Sequence, residues 1–130
     1  MILMIDDDED TLEIYQLLIE KTPYSDHFIT YNDALEALHW LKELASNQEV
    51  FPKYILLDLN MPELNGIEFV HQFEQELNYQ ELNTEIIILT SSVREKDQQE
   101  ALSHSSVSKF VSKPLSKDQL VGFLASSVSS

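Results

Sequence analysis

Residues 54–66 read YILLDLNMPELNG, and this stretch holds both a buried strand and the residue that most needs an explanation. Its apolar run, Tyr54–Leu57, ends abruptly at the carboxylate of Asp58, and a loop with Pro62 and Gly66 follows. A short continuous apolar run is typical of a buried strand in a parallel sheet. In open α/β sheets, binding sites lie at the carboxyl ends of such strands. The sequence therefore predicts that Asp58 lies at a functional edge of the sheet.

Strand and helix patterns alternate along the chain. Five apolar runs are predicted to be strands: Ile2–Ile5, His27–Tyr31, Tyr54–Leu57, Glu85–Thr90 and Val107–Ser112. Helices are predicted at Thr11–Lys21, Asn32–Ser46, Gly66–Leu77, Arg94–Ser103 and after Ser116. Parallel strands need helical crossovers, which cover both faces of the sheet. We therefore expect one α/β domain over residues 1–130, with a five-stranded parallel sheet flanked by five helices.

Composition and charge narrow the classes of function. The chain has 130 residues, a formal net charge of −15 and no Cys. Nucleic acids and anionic membranes would repel such a chain, because binding to them rests on Lys and Arg. The absence of Cys excludes disulfides and thiolate metal sites. The apolar start of the chain is too short for a signal peptide or a membrane span. We therefore expect a cytoplasmic protein without direct nucleic-acid or membrane contacts.

Polar residues stand where the predicted strands end. They are Asp6 and Asp7 after the first strand, Asp58 after the third, Thr90 and Ser91 after the fourth, and Lys113 and Pro114 after the fifth. Carboxylates that converge at one edge cannot all stay ionised without a compensating cation. With neither His nor Cys in this set, Mg²⁺ is the cation that fits best. A carboxylate beside a metal, an ammonium and a hydroxyl can attack phosphorus to form an acyl phosphate.

These residues resemble a known family, the CheY-like receiver domains of two-component response regulators. The resemblance covers essentially the whole chain and rests on four motifs in the expected order: residues 2–8 (ILMIDDD), residues 56–62 (LLDLNMP) with Gly66, residues 88–91 (ILTS) and residues 110–114 (FVSKP). It implies a flavodoxin-like, doubly wound sheet of strand order 2-1-3-4-5. It also implies a phosphorylation-dependent switch in two-component phosphorelay signalling, rather than an enzyme acting on other substrates.

The resemblance assigns a role to each acidic residue. Asp58 is the expected phosphoacceptor and also a Mg²⁺ ligand. Asp7 is expected to bind Mg²⁺ directly, Asp6 mainly through water, and Asn60 through its backbone carbonyl. Asp8 stays open as an alternative to Asp7, because a run of three acids leaves the register ambiguous.

The remaining motif residues have switch or turn roles in the resemblance. Lys113 is expected to contact the phosphoryl group and to form a cis peptide bond with Pro114. The hydroxyl of Thr90 is expected to move toward the phosphoryl group while Phe110 rotates inward. Ser91 replaces a more usual Ala and is still small enough to leave access to Asp58. Pro62 and Gly66 are turn residues that follow the phosphoacceptor.

The partners implied are a sensor histidine kinase or histidine phosphotransfer protein and a downstream protein target. The kinase is expected at the first helix and the loop after Lys113. A phosphorylation-dependent homodimer stays open, although the fourth helix is unusually polar for the family's usual dimer face.

Two other functions stay open from the sequence. A Mg²⁺-dependent phosphohydrolase of the haloacid-dehalogenase type also uses an Asp nucleophile, Lys and Thr or Ser. That class has a second Asp two positions after the nucleophile, where this chain has Asn60. A pseudo-receiver, which binds partners without being phosphorylated, is disfavoured by the complete set of Asp, Thr and Lys.

Overall fold

Five parallel strands form the centre of the molecule. The computed structural model describes residues 1–61, 64–91 and 94–128. The strands are β1 (Ile2–Ile5), β2 (Phe28–Tyr31), β3 (Tyr54–Asp58), β4 (Glu85–Thr90) and β5 (Val107–Ser112). They pair in the order β2-β1-β3-β4-β5, and every pairing is parallel. The predicted fold class and strand order are confirmed.

Helices connect the strands and cover the sheet. They are α1 (Glu9–Ile19), α2 (Ala34–Ser46), α3 (Gly66–Glu76), α4 (Tyr79–Leu82), α5 (Glu95–Leu102) and α6 (Lys117–Val128). The described part of the chain thus has six α-helices, where the sequence pattern predicted five. The additional helix, α4, spans a single turn and is followed by its C-cap Asn83, whose φ of 58° is left-handed. No described helix is long and apolar enough to cross a membrane.

Alternating strand residues build a separate hydrophobic core on each face of the sheet. Leu3 and Ile5 of β1 face the core that includes residues of α2, α3 and α5. Ile2 and Met4 face the opposite core, which includes residues of α1 and α6. This alternation follows from the two-residue period of a strand. Because both faces are covered, the strand ends are where polar side chains of the sheet can meet solvent and ligands.

Small boundary differences have local causes. His27 belongs to a 3₁₀ turn (Ser25–His27) rather than to β2. Helix α1 begins at Glu9, two positions before the predicted start, because Asp8 caps it: the Asp8 side chain accepts a hydrogen bond from the Asp10 backbone N–H. Such caps satisfy backbone donors in the first helical turn that otherwise have no partner.

Candidate functional site

Three carboxylates meet at the carboxyl edge of the sheet. Asp6 follows β1, Asp7 comes next, and Asp58 ends β3; one oxygen from each lies within 4.8 Å of the others. Asp6 and Asp58 are buried, whereas Asp7 is exposed. The Asp6 backbone N–H donates to the carbonyl of Tyr31, which fixes the end of β1 against β2. The sheet therefore brings together the acids that the sequence singled out.

Asp8, the alternative to Asp7, has a different structural role. Its Oδ1 accepts a hydrogen bond from Asp10 N at 3.1 Å, and its Oδ2 accepts one from the Thr11 hydroxyl at 2.9 Å. These contacts lower the pKa of Asp8, with the Thr11 hydrogen bond as the largest cause. Both carboxylate oxygens of Asp8 are thus engaged in capping α1, and Asp8 is not in the three-acid cluster.

Lys113 supplies positive charge to this cluster. Its Nζ lies 2.6 Å from Asp6 Oδ2 and 3.5 Å from Asp58 Oδ1. The Lys113 backbone N–H donates to the carbonyl of Thr90 at 2.8 Å, which ties the end of β5 to the end of β4. The peptide bond between Lys113 and Pro114 is cis, as the resemblance implied. One ammonium thus faces two buried carboxylates.

The environment of Asp58 disfavours its charged form when no metal is present, although the carboxylate is still mostly ionised at neutral pH. The pKa of Asp58 is raised from 3.8 to about 6, mainly because the carboxylate is buried and partly because Asp6 is close. Lys113 and the Asn60 N–H, which is 3.3 Å from Asp58 Oδ1, act in the opposite direction. Burial acts to lower the pKa of Lys113, but its hydrogen bond to Asp6 and the nearby Asp58 charge raise it overall. One lysine does not compensate for all the negative charge here.

The other predicted switch residues lie on the neighbouring strands. Thr90 ends β4 and is fully buried, and Ser91 follows it in an exposed bend. Phe110 is partly buried in the edge strand β5, paired with Ile88, and it packs against the core that contains α3. The structure therefore brings Thr90 to the carboxyl edge of the sheet and leaves Phe110 partly exposed.

The loop after Asp58 is anchored where α3 begins. The Gly66 N–H donates to the carbonyl of Leu59 at 3.0 Å, and Asn65 caps α3 by accepting from Glu68 N. A Cβ on Gly66 would lie only 2.9 Å from the Leu59 Cα, so a side chain cannot fit here without a backbone shift. The predicted turn role of Gly66 has this steric basis, whereas Pro62 lies outside the described residues.

One anchoring residue was not identified from the sequence. The hydroxyl of Tyr15, on the buried face of α1, accepts a hydrogen bond from Leu115 N at 3.0 Å. This contact ties α1 to the segment that follows Pro114. A tyrosine among the core positions of a helix is a usable signal, because a buried hydroxyl needs a polar partner.

The donor chemistry of the cluster fits Mg²⁺. The three acids offer only oxygen ligands, and Mg²⁺ prefers a few carboxylates together with water. The exposed position of Asp7 leaves room for that water. An Asp58 carboxylate that is unfavourably charged in the metal-free protein also gains from a divalent cation nearby.

A doubly wound parallel sheet with acids, a hydroxyl and a lysine at its carboxyl edge defines a receiver-like signalling module. The model of the response regulator receiver domain family matches residues 2–125, and the chain belongs to this family. Receiver domains bind Mg²⁺ at such an acidic cluster, and response regulators interact with histidine kinases and downstream targets.

Individual relatives agree with this assignment. The polar-differentiation response regulator DivK of Brucella ovis is 26% identical over 92% of this chain and 89% of its own length. A crystal structure of a two-component response regulator from Cytophaga hutchinsonii is 27% identical, with a TM-score of 0.81 over 99% of this chain and 96% of that one. A two-component response regulator from Legionella pneumophila is 26% identical, with a TM-score of 0.78, and covers 96% of this chain and 97% of its own.

Proposed function

We propose that Asp58 accepts a phosphoryl group from a phosphohistidine of a sensor histidine kinase or a histidine phosphotransfer protein. One carboxylate oxygen of Asp58 attacks phosphorus, the new O–P bond forms as the N–P bond breaks, and the leaving imidazole takes up a proton. Lys113, whose Nζ is 3.5 Å from Asp58 Oδ1, offsets charge on the transferring oxygens. This juxtaposition of nucleophile and ammonium is the observation that carries the proposal.

Asp6, Asp7, Asp58 and the backbone carbonyl of Asn60 are the proposed ligands of Mg²⁺. When bound, the cation would neutralise negative charge on the acids and on the phosphoryl oxygens. Asp7 is favoured over Asp8, because Asp8 already accepts hydrogen bonds with both oxygens in the cap of α1. Asp6, which is held by Lys113, is favoured as the ligand that acts mainly through water.

The proposed response to phosphorylation is a shift of Thr90 and Phe110. The Thr90 hydroxyl would hydrogen-bond to the phosphoryl group, and Phe110 would rotate inward from its partly exposed position on β5. A switch of this kind is a pre-existing equilibrium that the added charge biases. Ser91, exposed next to Thr90, leaves the approach to Asp58 open.

The phosphoryl donor is proposed to dock on α1 and on the segment after Pro114. Ile14 and Leu17 are 58% and 61% exposed and lie three residues apart on α1, so they form neighbouring apolar contacts on one face of the helix. The hydrogen bond between Leu115 N and the Tyr15 hydroxyl holds the two parts of this surface together. A donor bound here would lie beside Lys113.

The wider proposal is a cytoplasmic signalling module over residues 1–130. It would act through a downstream protein target and catalyse nothing beyond its own phosphorylation and dephosphorylation. A phosphorylation-dependent homodimer is a further arrangement to test by light scattering. The surface of α5 is polar, and Ala101 is the only buried residue of this helix. This supports a dimer interface other than the one that is usual in the family.

The first test is intact-mass spectrometry after incubation with acetyl phosphate and Mg²⁺. The wild-type protein is expected to gain one phosphoryl group, and Asp58→Asn is expected to gain none. Asp118→Asn, which changes an exposed acid in the first turn of α6, is the matched control and should be labelled like wild type.

The other outcomes would each contradict the proposal in a different way. Labelling that persists in Asp58→Asn would remove Asp58 as the phosphoacceptor. Rapid turnover of a soluble phosphate ester would instead favour the phosphohydrolase. Neither labelling nor Mg²⁺ binding in the wild type would favour the pseudo-receiver.

A further inference from the structure

An apolar groove runs along the first turns of α2, on the sheet face opposite α1. Leu35 lies at its centre, and its side chain is 50% exposed. On one side of Leu35, a cleft of about 420 Å³ is lined by Tyr31 and Trp40, whose rings pack 5.5 Å apart between centroids. On the other side, a smaller cleft reaches Met61 and Leu64 in the loop after the phosphoacceptor strand. Leu35 lines both clefts, so they form one surface, which we call the α2 groove.

Carboxylates border the α2 groove along its length. Asp7 and Asp33 line the smaller cleft, and Glu36 and Glu43 line the larger one. Neither Lys nor Arg is among the described residues that line either cleft. Of the lining residues that the structure describes, His39 alone carries a titratable nitrogen, and its Nε2 lies 3.2 Å from Glu43 Oε1.

The negative charges at the rim of the α2 groove also act on its apolar lining. Burial raises the pKa of Tyr31, and the charges of Glu36 and Glu43 raise it further. The two glutamates therefore act on the same ring that packs against Trp40. A ligand that enters the α2 groove meets apolar surface at the centre and negative charge at the rim.

We propose that the α2 groove binds a basic amphipathic helix of a partner protein. A helix laid along α2 would insert an apolar anchor on each side of Leu35, while Lys or Arg side chains on its flanks meet the four carboxylates. A second copy of the chain fits less well, because its net charge of −15 would bring like charge to the rim. Anionic lipid and nucleic acid are disfavoured for the same reason.

This interaction is separate from the proposed phosphoryl donor surface. Helix α1 and the segment after Pro114 pack against the other core of the sheet, whereas α2 contributes to the core shared with α3. Binding in the α2 groove does not depend on phosphorylation of Asp58, but it shares Asp7 with the proposed Mg²⁺ site, so peptide binding is measured without Mg²⁺. Failure of one proposal therefore leaves the other standing.

A synthetic helical peptide with leucines on one face and lysines on the other is the direct probe. Trp40 is the only tryptophan of the chain, so its fluorescence reports occupation of the α2 groove. Binding of the lysine peptide is expected to change this fluorescence, while a peptide with glutamates in place of lysines should not bind. Calorimetry then gives Kd for the variants.

Matched leucine variants separate a specific groove from general attraction to an acidic protein. Leu35→Ala is expected to raise Kd at least about tenfold. Leu102→Ala changes a leucine of similar exposure, 45%, on α5 and should leave Kd unchanged. Both leucines are exposed, and circular dichroism checks that the variants stay folded. The double variant Glu36→Gln, Glu43→Gln should weaken binding and reduce its dependence on salt.

Equal Kd values for the two leucine variants would overturn the proposal. So would binding of the glutamate peptide with similar affinity, or no binding of the lysine peptide to the wild type.

Discussion

Asp58 and Glu74 are two partly or fully buried carboxylates beside a nitrogen base, and their environments have opposite effects. Burial acts to raise the pKa of both groups. For Asp58, the nearby charge of Asp6 adds to burial, and the pKa rises to about 6. For Glu74, contacts to Ser106 and His104 outweigh burial, and the pKa is lowered. The charged form of the carboxylate at the proposed reaction site is therefore destabilised, whereas hydrogen bonds stabilise the charged form of the carboxylate in the scaffold.

The hydrogen bonds explain the difference. Glu74, on α3, accepts from the Ser106 backbone N–H at 2.9 Å with one oxygen and lies 2.9 Å from His104 Nδ1 with the other. It thereby ties α3 to the start of β5. Among the described residues, the Asn60 N–H lies a long 3.3 Å from Asp58 Oδ1, and the Lys113 ammonium, 3.5 Å from that oxygen, is closer to Asp6. A nucleophile must keep a reactive oxygen, so incomplete satisfaction suits the proposed role.

The largest expected effect comes from removing the ammonium at the reaction site. Lys113→Met keeps the apolar stem but removes the charge that offsets the phosphoryl oxygens, so phosphorylation by acetyl phosphate should slow about 100-fold. Lys109→Met, in the strand β5 that directly precedes Lys113 and exposed, is the matched control and should be phosphorylated at the wild-type rate. The measurement is the time course of phosphoprotein by intact mass. A rate within twofold of wild type for Lys113→Met would show that Lys113 does not stabilise the charge on the phosphoryl oxygens in the transition state.

The second largest effect is expected from removing the hydrogen-bonded carboxylate of Glu74. Glu74→Ala leaves the part-buried Ser106 N–H without its acceptor, so the free energy of unfolding should fall by about 1–3 kcal/mol. Glu76→Ala, two residues further along α3, removes only the exposed ion pair with Lys42 and should cost less than about 1 kcal/mol. Urea denaturation measures both variants. If both variants lost the same free energy of unfolding, the contact between Glu74 and Ser106 would stabilise the fold no more than an exposed ion pair does.

The smallest expected effect comes from removing the buried negative charge of Asp58. Without Mg²⁺, Asp58→Asn should raise the free energy of unfolding at neutral pH by about 1–2 kcal/mol. The rise of the pKa from 3.8 to about 6 sets an upper limit of about 3 kcal/mol, at about 1.36 kcal/mol per unit, and the buried Asn amide keeps part of the cost of burial. The folded wild type holds a proton on Asp58 that the unfolded chain has lost, between pH 3.8 and about 6. Its contribution to stability is therefore present at low pH and is lost as pH rises through about 6.

Urea denaturation in the presence of a chelator, across this pH range, checks the sign. The Glu74 contribution runs the other way: it is present at neutral pH and is lost as pH falls below the ordinary value of 4.5. The difference between wild type and Asp58→Asn isolates the Asp58 part. A stability difference that stayed constant from about pH 4 to about pH 7 would contradict the raised pKa.

The sheet and the acid cluster could be predicted because they depend on local order along the chain. Each apolar run ends at a polar group, and parallel strands place those ends at one edge. The choice between Asp7 and Asp8 could not be made from spacing, because it depends on which acid caps α1. Helix α4 was missed because a single turn has no amphipathic period to recognise.

Long-range contacts were also beyond the sequence pattern. Glu74 and His104 are 30 residues apart, and nothing in either segment indicates that they meet. The α2 groove exists because Leu35 lies between two clefts that are lined by different parts of the chain. Tyr31 of β2 lies beside Leu35 in one cleft and Met61 and Leu64 lie beside it in the other, and helical periodicity alone does not predict that these residues come together.

The contact at Gly66 has a consequence for engineering. One backbone hydrogen bond, from Gly66 N to the Leu59 carbonyl, holds both ends of the intervening segment together. The segment is thus a loop with fixed ends, in which the buried Met61 and Leu64 and the helix cap Asn65 have to be kept so that the strand before it and the helix after it stay in place. Substitutions in this loop that keep those three residues would then change access to the reaction centre while the scaffold keeps its dimensions.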